Sequence, residues 1–230
     1  MDESGNGNAS QPLIVGAVEI HEDPEEIERR IQELFRRLSA RRSLDGLPSF
    51  EDFRKHGFHA SSDPIEISVP FLELMQDLAF RAYIVVTDRT NPKAGGTELE
   101  KLEFMYQHLL GDILIRHRER SELLCYIEQN DSLGRLVSKL PESAVRRAYE
   151  KLGRPARLPR LDVVMATKTQ AMSMAIIDYI MMAASRWVRK GHSTDPADRI
   201  YRGFREVEPF ISTLYSLEHG LISSRKLPLH

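Results

Sequence analysis

Apolar and polar residues follow one another along the chain in blocks that predict strands and helices in turn. Short β-branched runs bounded by polar residues predict buried strands. The predicted strands are 13–18, 81–87, 122–127 and 161–166. Between them, apolar residues recur three and four positions apart, as on one face of a helix. The pattern therefore predicts an α/β architecture in which much of the sheet is parallel.

Several helix ends carry recognisable capping residues. Asp23 and Pro24 suit the N-cap and the first position of a helix. Thr97 and Glu100 have the spacing of a capping box, and Gly153 suits the end of a helix. The predicted helices are 24–38, 70–80, 97–117, 131–139, 141–152, 169–188, 196–204 and 209–219.

The chain reads as one domain over residues 1–230. It contains no internal repeat and no strong composition shift. We expect a core over about 1–190 and a helical extension over 191–230, because the last two predicted helices follow the last predicted strand. Residues 46–63 are predicted to be a loop because prolines and glycines interrupt them.

Composition indicates a soluble globular protein. Hydrophobic residues make up 41% and charged residues 29%, with a formal net charge of −2. Nucleic-acid binding would therefore need a local basic face. The arginines within 29–42 and 146–160 are candidates, although such runs are usually solvated helix faces. The single cysteine, Cys125, excludes an internal disulfide and argues against a cysteine zinc site. No apolar run is long enough to cross a bilayer, so we expect a cytoplasmic protein without membrane contact.

Acidic residues recur where sites collect in α/β proteins, at strand ends. Asp88 and Glu128 each follow an apolar run, and Asp2 and Glu3 precede the first one. Asp178 lies inside the apolar stretch 172–184, where an unpaired carboxylate would cost several kcal/mol. Asp178 is therefore expected either to pair with an arginine or a backbone group, or to face a shared metal site.

Each of the other candidates also has an ordinary structural interpretation. Glu128 suits a solvated strand end, and Asp131 suits a helix N-cap better than a ligand. Asp88 suits the start of a turn, His59 an exposed loop, and Lys168 a solvated residue before a helix. The chain has no phosphate-binding glycine loop, no Gly-x-Ser-x-Gly elbow and no helical His-x-x-x-His pair.

Taken in order, these segments resemble the bacterial family called domain of unknown function 3800. The opening 2–6 (Asp-Glu-Ser-Gly-Asn) resembles the family signature that ends its first strand, and 12–20 resembles its second strand. The resemblance covers roughly residues 1–190. The other matching segments are 58–61 (Phe-His-Ala-Ser), 85–89 (Val-Val-Thr-Asp-Arg), 125–128 (Cys-Tyr-Ile-Glu), 167–168 (Thr-Lys) and 172–180.

The resemblance implies a ribonuclease H-like fold and metal-dependent nuclease activity on DNA or RNA. It implies that Asp2 with Glu3, Glu128 and Asp178 hold Mg²⁺ or Mn²⁺, with Asp88 and Asp131 as weaker candidates. One ion would activate a water and a second would steady the leaving oxygen of a phosphodiester. Lys168 would neutralise phosphate charge and His59 would move a proton or touch substrate.

Three features depart from the family pattern. The chain begins at the signature itself, so the first strand is expected to be missing and Asp2 to lie on a frayed end. Either the true start lies upstream, or this form is impaired. Met172-Ser173-Met174-Ala175 stands where glutamine is common, and Glu128 and Asp131 are rivals for one acidic position. The alternative function is a non-catalytic ribonuclease H-like module that binds a protein partner or nucleic acid.

Overall fold

The computed structural model describes residues 1–130 and 133–228 and has a mixed α/β architecture. The strands are β1 (Asp2–Ser4), β2 (Leu13–Ile20), β3 (Phe80–Thr87), β4 (Glu122–Glu128), β5 (Arg160–Ala166), β6 (Ile211–Ser216) and β7 (Gly220–Ser224). The helices are α1 (Pro24–Ser39), α2 (Pro48–His56), α3 (Ile65–Gln76), α4 (Glu98–Arg116), α5 (Gly134–Val137), α6 (Leu140–Leu152), α7 (Ala175–Arg189) and α8 (Arg199–Val207).

Five strands form one sheet in the order β1-β2-β3-β6-β7. The β1–β2, β2–β3 and β6–β7 pairs are antiparallel, and β3–β6 is parallel. Strands β4 and β5 form a separate parallel pair. Among these named pairs, β3–β6 and β4–β5 are parallel, so less of the sheet is parallel than the sequence predicts.

Residue Met1 connects the two sheets. Its amino group donates to the Tyr126 carbonyl at 2.6 Å, and its carbonyl accepts from the Glu128 amide at 3.1 Å. This is the hydrogen-bond pattern of neighbouring parallel strands. Strand β4 therefore lies beside the start of β1, on the side opposite β2.

The sheet separates two apolar cores. Ile14, Ile84 and Val86 point toward α1, α2, α3, α7 and α8, whereas Val15 and Val85 point toward α4 and α6. Successive side chains of a strand point to opposite faces, so one strand can contribute to both cores. We name the two sides the α7 face and the α4 face.

Local capping explains the helices that were predicted most closely. The Asp23 carboxylate accepts from the Glu25 amide at the start of α1. Thr97 and Glu100 form the predicted capping box at the start of α4, and Gly153 ends α6 in a left-handed conformation. The strand predictions for β2 to β5 are confirmed to within two residues at each end.

Four secondary-structure predictions are wrong. Residues 48–56, predicted as loop, form α2, because Pro48 opens a helix that buries Phe50 and Phe53. Helix α3 begins at Ile65, before the predicted start, and contains Pro70. The helix predicted from residue 169 starts only after a short 3₁₀ turn at 172–174, and residues 211–216, predicted as helix, form strand β6.

Long-range contacts explain two of these differences. Proline lacks the N–H that would bond the carbonyl four residues earlier, which in α3 is Glu66. The Arg41 guanidinium donates to that carbonyl at 3.1 Å, so the helix tolerates Pro70. Strand β6 forms because it can pair with the open edge of β3.

The first strand is not missing, and the extra C-terminal helices are only partly present. Strand β1 has only three residues, but it is held between β2 and the Met1 hydrogen bonds to β4. Asp2 is therefore buried rather than frayed. Residues 191–228 contain α8, but also β6 and β7. Among the described residues, no helix combines the length and the apolar character needed to cross a membrane.

Candidate functional site

Strand β1 directs its two acidic residues to opposite faces of the sheet. Asp2 pairs with Gly16, at the position where β2 contacts α7, and Glu3 pairs with Val15, which belongs to the α4 core. Directly paired residues point to the same side of a sheet. Asp2 therefore faces α7, and Glu3 faces α4.

Two further carboxylates reach the α7 face near Asp2. In β4, Ile127 is buried in the α4 core, so the next residue, Glu128, points the other way. Asp178 lies in the first turn of α7, where the helix dipole favours a negative charge. Asp2, Glu128 and Asp178 are therefore the three predicted acidic residues that the structure brings together on this face.

Gly16 allows α7 to lie close to β2. A Cβ atom at this position would lie only 2.6 Å from the Ile177 side chain and 2.7 Å from Met181. Ile177 precedes Asp178 directly. The absence of a side chain at Gly16 therefore leaves room for the side chains of α7 to pack on β2 beside Asp178.

The Lys168 ammonium lies at the centre of the three carboxylates. Its Nζ is 2.8 Å from Asp178 Oδ2, 3.2 Å from Glu128 Oε2 and 3.9 Å from Asp2 Oδ2. Lys168 is only 4% exposed. It follows β5 in the turn at 167–170, which brings it level with the end of β4. The predicted site residue is therefore buried inside the cluster and is not a solvated residue before a helix.

His59 completes the cluster from the loop between α2 and α3. Its Nδ1 is 3.1 Å from Lys168 Nζ and 3.4 Å from Asp178 Oδ2. Its Nε2 is 4.0 Å from Glu128 Oε1. The neighbouring Ala60 amide donates to Asp178 Oδ2 at 3.1 Å. The loop thus contributes both an imidazole and a backbone donor to the site.

Asp63 and Tyr179 hold this loop in place. The Asp63 carboxylate accepts from the His59 amide at 2.8 Å and from the Tyr179 hydroxyl at 2.6 Å. Burial raises the pKa of Asp63 to about 6, despite these two hydrogen bonds. Phe58 anchors the loop by stacking on Phe71 with ring centroids 4.4 Å apart.

The electrostatics of the cluster are unbalanced. Burial would lower the pKa of the Lys168 ammonium, but the nearby carboxylates hold it above its usual value. Burial would likewise raise the pKa of Asp178, but contacts with His59 and Lys168 hold it at about 2. Burial raises the pKa of Asp2 well above its usual value, and Asp2 also shares a hydrogen bond with Glu128. One ammonium therefore does not keep all three carboxyl groups in their ionised form.

Glu3 lies apart from this cluster. Its carboxylate accepts from the Tyr106 hydroxyl at 2.6 Å and from Asn130 Nδ2 at 2.9 Å. A shallow pocket of about 330 Å³ is lined by β1, the following turn and residues 128–130. Asp2, Glu3 and Glu128 all line it, but the carboxylate of Glu3 is held by neutral donors on the α4 face.

The two weaker candidates do not join the cluster. Asp88 is exposed beyond the end of β3, where its Oδ1 accepts from the Thr90 amide at 2.9 Å, as at the start of a turn. Asp131 lies outside the described residues, so neither its predicted capping role nor its rivalry with Glu128 is tested.

Two positioning residues lie outside the predicted site: Glu28 has no signal in the sequence, and Arg89 is marked only as the last residue of the segment 85–89 that resembles the family. Glu28 of α1 accepts from the amides of Met172 and Ser173, at 2.7 and 3.0 Å, and so fixes the segment before α7. Arg89, which has a left-handed backbone with φ 73°, donates to the carbonyls of Gly5 and Gln11 in the turn after β1. Both look like ordinary surface charges until the elements they bridge are known.

Within residues 1–130 and 133–228, no group of three or more histidine, cysteine, aspartate or glutamate side chains is arranged to hold a metal ion. The position between Asp2, Glu128 and Asp178 holds the Lys168 ammonium. A scan against protein-family models, a search of curated proteins and a search of solved structures each gave no match.

Proposed function

We propose that the protein is a divalent-metal-dependent nuclease with a ribonuclease H-like fold, as its resemblance to the domain of unknown function 3800 family implies. The observation that carries the proposal is the convergence of three carboxylates, from β1, β4 and α7, around one point. The strands and helices that carry the candidate residues follow one another in the order of the family motifs. Lys168, for example, precedes α7, the helix that carries Asp178.

The donor set fits Mg²⁺ or Mn²⁺. Both ions prefer oxygen ligands, and carboxylates are the strongest of these in proteins. Asp2, Glu128 and Asp178 place three carboxyl groups around one ammonium, and a bound divalent cation would favour the ionised form of all three. Bound there, the metal would supply Lewis-acid activation of water and of the phosphodiester.

The remaining side chains have roles that their positions support. Lys168 would oppose the negative charge that develops on a phosphate oxygen held at the cluster. His59, held by its backbone hydrogen bond to Asp63, can accept or release a proton at the open side of the cluster. Glu3 is not part of this machinery, because its carboxylate is engaged on the other face.

An exposed apolar strip beside the cluster favours nucleic acid as the substrate. Tyr126 and Leu124 precede Glu128 on the same face of β4 and are 44% and 56% exposed. Val164, which pairs with Tyr126, is 43% exposed. Unpaired bases stack on exposed aromatic side chains. A single strand lying over β4 would bring its backbone to Glu128.

The test is cleavage of single-stranded and duplex DNA and RNA with Mn²⁺, with Mg²⁺ and with EDTA. We expect cleavage with Mn²⁺, none with EDTA, and none with Asp178→Asn. Asp88→Asn is the matched control, because it changes an acidic residue outside the cluster and keeps the turn acceptor. Cleavage that survives Asp178→Asn would assign the activity to another site.

A non-catalytic module that binds nucleic acid or a protein partner is the second candidate. It is favoured by the Lys168 ammonium, which already pairs with the carboxylates that a metal would need. Calorimetric titration separates the two: heat from Mn²⁺ that disappears in Asp178→Asn supports the nuclease, and binding of an oligonucleotide without any Mn²⁺ binding supports the module.

A further inference from the structure

The Lys168 side chain occupies an unusual place for a lysine. An ammonium is strongly hydrated and is rarely buried unless it is paired. Here it is paired with carboxylates from three separate elements, β1, β4 and α7. One carboxylate would be enough to form an ion pair with the ammonium, whereas three surround it here. The ammonium therefore fills the position at which the three carboxylates concentrate negative charge.

The backbone at Lys168 allows the ammonium to leave that position. Lys168 lies in a turn, where the Gln170 and Ala171 amides donate to the Thr167 carbonyl, rather than inside a strand or helix. Its four-carbon stem has several rotatable bonds, unlike the planar group of an arginine. The exposed side of the cluster, where His59 lies, offers a direction for the ammonium to move.

We infer that Lys168 is the resident cation of the site and that a divalent metal ion binds by displacing its ammonium from between Asp2, Glu128 and Asp178. The inference rests on the proposed metal site. It explains why three carboxylates can lie together before a metal binds, since the ammonium holds them against their mutual repulsion. The displaced ammonium stays tethered beside the site, where it can pair with a substrate phosphate.

The experiment compares metal binding by the full chain and by Lys168→Met, which keeps much of the side-chain volume without the charge. Binding of Mn²⁺ is measured by calorimetry and by the shift of the thermal unfolding midpoint, without nucleic acid. We expect Lys168→Met to bind Mn²⁺ about tenfold more tightly or better, because the competing cation is gone. Without metal, its unfolding midpoint should fall.

Two further variants control this experiment. Lys151→Met removes an ammonium that pairs with Asp112 at 2.6 Å, away from the site, and should leave Mn²⁺ binding unchanged. Lys168→Met combined with Asp178→Asn should lose the gain in affinity. If Lys168→Met fails to fold without metal, refolding with Mn²⁺ should recover it, and Lys168→Gln gives a second neutral variant for the same titration.

The outcomes distinguish this inference from the proposed function. If the wild type binds Mn²⁺ and Lys168→Met binds it no more tightly, the displacement is wrong while the metal site stands. If neither binds Mn²⁺, both are wrong. If Lys168→Met binds more tightly but the wild type cleaves no nucleic acid, the displacement stands and the nuclease proposal fails.

Discussion

Two neighbouring residues, Asp2 and Glu3, show how differently the two faces of the sheet treat a carboxylate. On the α4 face, Glu3 meets neutral donors, the Tyr106 hydroxyl and the Asn130 amide. On the α7 face, Asp2 meets two more carboxylates and one ammonium. The first arrangement gives a half-buried carboxylate neutral hydrogen-bond donors. The second crowds three carboxyl groups around one ammonium and raises the pKa of Asp2 well above its usual value, and strongly shifted pKa values cluster at functional sites.

The largest effect that tests this comparison is on nuclease activity. Asp2→Asn should lower Mn²⁺-dependent cleavage by about a hundredfold or more, since even supporting residues of a metal site typically contribute 10–100-fold. Glu3→Gln, one residue away, should retain most of the activity. Initial cleavage rates at saturating Mn²⁺ measure both.

Asp2→Asn and Glu3→Gln can also contradict the proposed difference between the two faces of the sheet. If Glu3→Gln loses as much activity as Asp2→Asn while thermal unfolding shows both to be folded, the two faces do not divide the roles in this way. Asparagine keeps an oxygen for the Glu3 amide, so Asp2→Asn should leave β1 intact.

A smaller effect is expected from closing the gap between β2 and α7. Gly16→Ala places a methyl group against Ile177 and Met181 and should lower the free energy of unfolding by about 1–3 kcal/mol through overpacking. It should also weaken Mn²⁺ binding, because α7 carries Asp178. Urea denaturation and calorimetry measure the two changes.

Gly203→Ala in α8 is the matched control for Gly16→Ala. Nothing lies within 4 Å of a Cβ atom there, and alanine is favoured over glycine in helices by about 0.5–1 kcal/mol. Unchanged or improved stability in Gly16→Ala would mean that the approach of α7 to β2 is not limited by this contact.

The smallest effect is a pH dependence on the α7 face. The pKa of Asp63 is raised from 3.8 to about 6 in the folded protein, so its protonated form favours the fold. That contribution is complete below about pH 4 and is lost as the pH rises through about 6. The midpoint of thermal unfolding, measured without metal, should therefore fall less for Asp63→Asn than for the wild type as the pH rises over this range. Parallel profiles for the two proteins would contradict the assignment.

Local signals in the sequence predict much of the fold. Caps at Asp23 and Thr97 identify helices α1 and α4, and β-branched runs identify β2 and β3, because these signals act between residues close in the chain. Such signals predict neither helix α2 nor strand β6. In both cases tertiary contacts decide the outcome: burial of Phe50 and Phe53, and the open edge of β3.

The sequence indicates most residues of the candidate site but not their arrangement, and it groups Glu3 with Asp2 although the two face opposite sides of the sheet. A carboxylate within an apolar helix, Asp178, is visible in the sequence because burial of charge is costly. The separation of Asp2 from Glu3 depends on pairing register, and no composition or spacing reveals it. The central position of Lys168 likewise depends on three elements that meet only in the folded chain.

The hydrogen bonds between Met1 and β4 also bear on how the chain folds. They join residues 125 and more positions apart, and Lys168 comes still later. Closing such long loops costs entropy before any contact repays it, so sheets of this kind form slowly. During synthesis, β1 emerges long before β4 and Lys168, the elements that enclose Asp2 in the folded protein. We expect Asp2 to remain hydrated until α7 arrives, so that assembly of the acidic cluster is among the last events of folding.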